Sequence, residues 1–188
     1  MRSIKINFNL PLIGTIIDFE TTHYDVAQGE LITAGFLLNS GVLIFQRLDL
    51  MESVFKEIIV KKMKSLTKPW YAFNKKFEES FIHLSFENEL QKREYESAFG
   101  ALLEEELLEH YNSLCDPLFN DEVPRFWKAW KITNDKVFLS KIVRHNYCCL
   151  IKEYHLIQKR MRKLDVNNIK RFPSSAQMEK RYIQRQLI

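Results

Sequence analysis

The order of strand and helix patterns along the chain constrains its fold more than any other feature of the sequence. Three short segments rich in β-branched and aromatic residues, 14–20, 31–38 and 42–48, predict an antiparallel meander. A helical pattern at 51–66 precedes a fourth strand at 69–73, which is expected to run parallel to its neighbour through a right-handed crossover. Further helices are predicted at 75–83, 99–111, 122–131 and 136–163. The expected fold class is α/β, with a mixed sheet of three antiparallel strands followed by a parallel strand and flanked by helices.

Length and charge divide the chain into a body and a basic C-terminal extension. The chain has 188 residues, 46% of them hydrophobic, which is enough for one domain with a single core. Residues 158–188 contain nine of the 28 basic residues and two of the 24 acidic residues. Paired Asn and a Pro-Ser-Ser run interrupt the helical pattern at 167–175. We therefore expect a domain at 1–164 and an extension at 165–188.

The basic extension permits two interpretations. Its cations are suited to the phosphates of single-stranded DNA or RNA, and such binding would weaken as the salt concentration rises. Alternatively, the cations simply stabilise a helix C-terminus, and the apolar residues near the chain end form an arm for homo-oligomer formation. Both interpretations stay open at this point.

Cysteine content and hydropathy bear on the location of the chain. Cys115, Cys148 and Cys149 form neither a disulfide framework nor a zinc-knuckle spacing, which favours a reducing, cytoplasmic setting. No apolar run approaches the length of about 18 residues that a membrane helix needs, so no membrane partner is expected. The N-terminus lacks the layout of a signal peptide.

Two carboxylates on the first predicted strand are the most informative polar residues. Side chains alternate between faces along a strand, so Asp18 and Glu20 share the face of Ile16 and lie about 7 Å apart. Two like charges on so apolar a strand are costly to desolvate and repel each other, and a divalent cation between them removes both problems. The alternative is that Glu20 lies in water past the strand end and that Asp18 caps a turn.

Two motifs in the first half of the chain resemble those of the DEDD-type 3′–5′ exonucleases. Residues 18–22, Asp-Phe-Glu-Thr-Thr, are similar to the first motif, Asp-x-Glu-Thr at the end of the first strand. Residues 70–82 are similar to the second motif, in which an apolar strand precedes Asn-x-x-Phe-Asp and a helix. Asn74 and Phe77 match this motif, and Glu78 replaces its Asp.

A third motif on the last predicted helix extends the resemblance. Residues 142–151 are similar to the branch of the family that has Tyr/His-Asn-x-x-Asp. His145 and Asn146 match, whereas Cys149 occupies the position of the final Asp. The resemblance covers roughly 13–157 and implies a ribonuclease H-like fold, with which the strand and helix order agrees.

The resemblance implies a two-metal hydrolase that releases nucleotides from the 3′ end of single-stranded DNA or RNA. Two Mg²⁺ or Mn²⁺ ions would be bound, one to activate water and one to stabilise the departing 3′ oxygen. By analogy, Asp18 bridges both ions, Glu20 holds the ion that activates water, and Glu78 supports the other. His145 is expected to accept the proton of the attacking water, and Cys149 takes the last metal-ligand position.

Substrate contacts are expected beside the same motifs. Thr21 belongs to the first motif, and Asn74 is expected to orient the strand end near the ions. Lys75 and Lys76 flank the expected site and are predicted to contact phosphate.

Cys149 is the main departure from the family pattern, because a thiol is a poor ligand for Mg²⁺. Glu153 lies one helical turn further on and is one source of the missing carboxylate. A second interpretation is a softer metal bound by His145 and Cys149 at their i, i+4 spacing. The third is a catalytically weakened nuclease-like module that binds nucleic acid or a protein partner. In purely structural terms, Cys148 and Cys149 are small residues that pack the helix against the sheet.

Overall fold

The computed structural model describes residues 1–84, 116–118 and 122–162, with side chains described as far as residue 154. Its five strands are β1 (Arg2–Asn7), β2 (Thr15–Thr21), β3 (Leu31–Leu38), β4 (Gly41–Gln46) and β5 (Trp70–Tyr71). They form one sheet in the order β1-β4-β3-β2-β5. The first four strands pair antiparallel, and β5 pairs with β2 in parallel.

The helices of the described residues cover both faces of this sheet. They are α1 (Glu52–Met63), α2 (Lys75–Ile82), α3 (Val123–Thr133) and α4 (Lys136–Arg162). Helix α4 packs on one face, where Leu150 joins the same apolar cluster as Ile16. Helices α1 and α2 pack on the other face, where Phe55 and Phe81 join Phe36. Each such side chain contributes about 1.5–3 kcal/mol by leaving water, so the two layers stabilise the sheet from both sides.

The alternation of side chains along β2 decides which helix the acidic residues meet. Ile16 belongs to the cluster under α4, whereas Ile17 and Phe19 belong to the cluster under α1 and α2. Asp18 and Glu20 therefore face α4, as the strand periodicity predicts. Because β2 and β5 are parallel, their carboxyl ends lie at the same end of the sheet. The chain that leaves β5 therefore enters α2 close to Asp18 and Glu20.

The α/β class and the mixed sheet are confirmed, but the predicted number and order of strands are wrong. An additional strand, β1, pairs with β4 at the edge of the sheet, so four strands rather than three are antiparallel. Only two apolar residues, Ile4 and Ile6, alternate with polar ones in β1, which is the weak pattern of an edge strand. The predicted helix at 99–111 and the extension at 165–188 lie outside the described residues.

Gly35 on β3 lets helix α4 approach the sheet beside the acidic residues. It is the register partner of Asp18, and a Cβ atom added to it would lie 2.0 Å from Oδ1 of Asn146 and 2.8 Å from Cδ1 of Leu150. Asn146 is fixed in this position, because its Nδ2 donates hydrogen bonds to the main-chain oxygen and to Oδ2 of Asp18. The absent side chain at position 35 therefore allows a direct helix-to-strand contact at Asp18.

We expect Gly35→Ala to lower the free energy of unfolding by about 1–3 kcal/mol, the usual range for overpacking a core. Chemical denaturation of both proteins measures the difference. In an Asn146→Ala background the same substitution should cost less, because its nearest obstacle has been removed. A penalty that is identical in the two backgrounds would show that Asn146 does not set the approach of α4.

Candidate metal centre

A cavity of about 400 Å³ opens where the carboxyl end of β2 meets the start of α2 and one face of α4. Strand β2 contributes acidic residues to it, the segment after β5 contributes Asn74, and α4 contributes side chains from successive turns. The acidic, amide, aliphatic hydroxyl, imidazole, thiol and ammonium side chains of the lining come from three stretches of the chain. They are Asp18, Glu20, Thr21, Thr22, His23, Asn74, Glu78, His145, Cys149, Lys152 and Glu153.

Asp18 and Glu20 lie side by side at the floor of the cavity. Glu20 is buried, with 8% of its surface exposed, and Asp18 is partly buried. The Asn146 amide on α4 fixes the orientation of Asp18 through the hydrogen bond to Oδ2 at 2.7 Å. The bland alternative of a solvated Glu20 past the strand end is therefore wrong, because Glu20 lies within β2 and is buried.

Two further carboxylates are buried in the same cavity without a partner for one of their oxygen atoms. Glu78 on α2 and Glu153 on α4 are each 3% exposed. The Oε2 atom of each has no hydrogen-bond partner among the described residues. An unpaired buried carboxylate oxygen is costly, and a catalytic role, an ordered water or a bound cation accounts for one that a native protein keeps.

His145 is held by a buried ion-pair network centred on Asp116, which is not part of the cavity lining. Its Nδ1 atom lies 2.9 Å from Oδ1 of Asp116, and Nζ of Lys152 donates to Oδ2 of Asp116 at 3.1 Å. The Asp116 side chain is fully buried. This arrangement assigns the Nδ1 proton to the Asp116 hydrogen bond, so that Nε2 is the ring atom directed at Glu20 and Cys149.

Cys149 lies beside His145 in the cavity, whereas Cys148 packs in the apolar core. The Sγ atom of Cys149 is 3.7 Å from Nε2 of His145, and Oε1 of Glu20 is 3.8 Å from the same nitrogen. These three ligand-type atoms all lie within 4.8 Å of one another. The core-packing interpretation is therefore correct for Cys148 and does not describe Cys149.

Burial and mutual repulsion disfavour ionisation of the acidic residues in the metal-free protein. Burial, and then the Glu20 carboxylate, raise the pKa of Asp18 well above its usual range. Burial, and then Asp18, likewise raise the pKa of Glu78. For Glu153, burial followed by the carboxylates of Asp18 and Glu78 raises the pKa in the same way. Burial also raises the pKa of Glu20, although the nearby His145 opposes it.

The environment of His145 favours the charged form of its side chain, unlike the environment of the carboxyl groups. Burial lowers the pKa of the imidazole, but its neighbours outweigh burial and raise it above its usual value. These neighbours are Cys149, Glu20 and the hydrogen-bonded Asp116. These neighbours therefore favour the protonated imidazole in the metal-free protein, whereas a cation in the cavity would favour its neutral form.

Most of the residues predicted from the sequence meet in this cavity. Asp18, Glu20, Thr21, Asn74, Glu78, His145 and Cys149 all line it. Lys75 and Lys76 do not; Lys75 forms an ion pair with Glu79 at 3.3 Å on the outer side of α2, and Lys76 is exposed. Sequence reasoning missed Asp116 and Lys152, because neither belongs to a motif and they meet His145 only in the folded chain.

The donor set of the cavity fits divalent cations. Asp18, Glu78 and Glu153 offer the carboxylate oxygens that Mg²⁺ and Mn²⁺ prefer. His145 and Cys149 add nitrogen and sulfur donors, which suit softer transition metals. The Oε2 atoms of Glu78 and Glu153, which have no hydrogen-bond partner within the described part of the chain, are available as additional oxygen donors.

In comparisons with known proteins, no family model matches the chain, and neither a curated protein nor a solved structure matches it significantly. Among the described residues, no helix combines the length and the apolar character needed to cross a membrane. The assignment of function therefore depends on the geometry of the cavity.

We expect the metal-free protein to lose stability as the pH rises above the ordinary carboxyl pKa values. The four buried carboxyl groups have raised pKa values in the folded state, compared with ordinary values of 3.8 for Asp and 4.5 for Glu. Their contribution to stability is therefore complete below those ordinary values and is lost as the pH rises through the raised ones. Thermal unfolding in the presence of a chelator measures this decline.

Saturating Mn²⁺ should reduce or reverse the decline, because a bound cation favours the ionised carboxylates. Glu78→Gln combined with Glu153→Gln should flatten the pH dependence of the metal-free protein. An unfolding midpoint that rises with pH in chelator above the ordinary carboxyl pKa values would contradict the assigned electrostatics.

Proposed function

We propose that this chain is a metal-dependent nuclease, a 3′–5′ exonuclease that acts on single-stranded DNA or RNA. The observation that carries the proposal is the convergence of four carboxylates on one cavity. Asp18 and Glu20 come from β2, Glu78 from α2 and Glu153 from α4, so residues far apart in the sequence meet at one place. A buried set of like charges of this kind is the arrangement that two divalent ions require in phosphodiester hydrolysis.

The architecture supports a ribonuclease H-like fold as part of the proposal. The four strands β4-β3-β2-β5 are adjacent in this order, with three antiparallel strands and a parallel crossover through α1. Along the chain, β2, β3, β4, α1 and β5 follow the strand and helix order that the resemblance to the DEDD-type exonucleases implies. Strand β1 extends the sheet at the edge far from the cavity, where it does not interfere with the site.

Glu153 is the proposed fourth acid in place of the Asp that the third motif usually carries at position 149. Four residues along α4 correspond to about one turn, so Cys149 and Glu153 lie on the same helix face. Glu153 is buried in the cavity with an unpaired oxygen, and the charges of Asp18 and Glu78 act on it. The missing carboxylate is therefore supplied from the next turn of the helix.

In the proposed mechanism the chain's own residues position the reacting groups. Asp18, Glu20, Glu78 and Glu153 would hold the ions, and Asn146 keeps the Asp18 carboxylate directed at the cavity. When bound, divalent ions lower the pKa of water and neutralise charge on the phosphate and the leaving oxygen. His145 faces the same space through Nε2 and is oriented from behind by Asp116.

Aromatic side chains at the mouth of the cavity support a nucleic acid substrate. Tyr24 is 72% exposed and Phe73 is 40% exposed, and both line the cavity together with Phe77. Exposed rings beside a phosphate-binding centre suit stacking against the bases of an unpaired strand, which contributes about 1–3 kcal/mol per base. The volume of about 400 Å³ lies in the range of sites that bind one small ligand, such as a terminal nucleotide.

We expect the full chain with Mn²⁺ to shorten a 5′-labelled single strand from its 3′ end, and Asp18→Asn to reduce the rate about 10³-fold. The isosteric amide keeps the side-chain shape but removes the charge that holds the ions, which corresponds to a loss of about 4 kcal/mol of transition-state stabilisation. Glu153→Gln should reduce the rate by at least about 10²-fold for the same reason. Gel analysis of product ladders measures both rates.

Glu79→Gln is the matched control, because Glu79 adjoins Glu78 on α2 but does not line the cavity. Its rate should stay close to that of the unchanged chain. Equal rates for the unchanged chain and Asp18→Asn would remove the nuclease proposal. Retarded migration of the strand without cleavage would favour the alternative, a catalytically weakened module that binds nucleic acid.

A further inference from the structure

The donor atoms of the cavity fall into two chemically different groups. Asp18, Glu78 and Glu153 offer only oxygen, and their charges act on one another. Glu20, His145 and Cys149 offer an oxygen, a nitrogen and a sulfur within 4.8 Å of one another. Oxygen-only sets suit Mg²⁺ and Mn²⁺, whereas a set with imidazole and thiolate suits Zn²⁺ and related transition metals.

The mixed group has the spacing of ligands around a tetrahedral ion. Zn²⁺ binds nitrogen and oxygen at about 2.0 Å and sulfur at about 2.3 Å, which places tetrahedral ligand atoms about 3.3–3.5 Å apart. The separation of Sγ of Cys149 from Nε2 of His145 is 3.7 Å, and that of Oε1 of Glu20 from the same nitrogen is 3.8 Å. These two separations exceed the ideal spacing by a few tenths of an ångström, and the separation between the Glu20 and Cys149 ligand atoms is at most 4.8 Å. The open side of the cavity leaves the fourth position to water or substrate.

A second observation points independently to His145 as a metal ligand. Metal-binding histidines commonly donate the other ring N–H to a carboxylate, which fixes the tautomer and orients the ring. Asp116 has this position at 2.9 Å from Nδ1, and Lys152 fixes the second oxygen of Asp116 at 3.1 Å. The Asp116 side chain is fully buried, so water does not compete for its hydrogen bond to the imidazole ring, and the ring is held in one orientation.

We propose that Glu20, His145 and Cys149 bind one Zn²⁺-class transition-metal ion beside the carboxylate-held ion of the same cavity. This inference deepens the proposed function. It rests on the proposed function only for the neighbouring ion held by carboxylate oxygens. In this proposal Cys149 is a metal ligand that prefers a softer metal than the usual Asp does. Its presence does not mean that the site has lost a ligand. Binding releases the thiol proton of Cys149 to solvent, because thiolate is the ligating form.

Co²⁺ added to the metal-free full chain under reducing, anaerobic conditions tests the proposal, because Co²⁺ reports thiolate ligation by absorption. We expect one equivalent to produce a sulfur-to-cobalt charge-transfer band in the near ultraviolet and the intense visible bands of tetrahedral Co²⁺. One equivalent of Zn²⁺ should bleach these bands, since Zn²⁺ lies above Co²⁺ in affinity, whereas excess Mg²⁺ should leave them.

Cys149→Ser should abolish the charge-transfer band, and the matched variants Cys148→Ala and Cys115→Ala should keep it. Asp116→Asn should keep the band but weaken Co²⁺ binding about 10–100-fold, as loss of a carboxylate behind a metal-bound histidine does. Circular dichroism of each metal-free variant checks that it is folded. If Cys149→Ser does not fold, the Asp116→Asn titration alone decides, because unchanged affinity there overturns the proposal.

Absence of the band in the unchanged chain, its survival in Cys149→Ser, or its bleaching by Mg²⁺ would also overturn the proposal. These readouts do not depend on cleavage of any substrate. A Cys149-dependent band in a chain without nuclease activity would support the metal site and reject the proposed function. Nuclease activity in a chain that lacks the band would support the proposed function and reject the transition-metal site.

Discussion

The repulsion among buried carboxylates is the constraint on which the rest of this structure depends. Asp18, Glu20, Glu78 and Glu153 surround one cavity, and burial raises the pKa of each. A chain without a ligand would gain stability by replacing several of them with apolar residues, because unpaired buried charge is expensive. The fold nevertheless brings them together from β2, α2 and α4, and this convergence is the main physical argument for the proposed cation site.

Contacts between helix α4 and the rest of the fold support this cluster. Gly35 provides the space in which Asn146 reaches Asp18, and so joins α4 to the central strand at the floor of the cavity. Lys152 forms an ion pair with the buried Asp116 carboxylate, and this carboxylate orients His145 through its other oxygen. Stability and site geometry are therefore coupled, since the same side chains pack the helix on the sheet and direct the donor atoms.

Local periodicity was sufficient to predict part of the site. The alternation along β2 places Asp18 and Glu20 on one face, and the strand-to-helix pattern places Glu78 at the same edge of the sheet. The helical spacing from Cys149 also identifies Glu153 as a second acidic candidate. Asp18 and Glu20 were predictable from regular backbone geometry alone, whereas Glu78 and Cys149 were identified by the resemblance to the DEDD-type exonucleases.

The remaining features depend on tertiary contacts that the sequence does not encode locally. Asp116 meets His145 across 29 positions and Lys152 across 36, and no periodic pattern marks it. Strand β1 was missed because two apolar residues give too weak an alternation, although its pairing with β4 makes it a regular edge strand. The division of the cavity into an oxygen-only and a mixed donor group likewise requires coordinates, since Glu20 and Cys149 lie 129 positions apart.

The most direct test of the central claim is X-ray anomalous scattering from crystals of the full chain grown with Mn²⁺ and Zn²⁺, with data collected at both metal absorption edges. The account predicts a manganese peak bounded by Asp18, Glu78 and Glu153, and a zinc peak bounded by Glu20, His145 and Cys149. Anomalous maps with no peak in this cavity at saturating metal, with both ions bound elsewhere or absent, would contradict it.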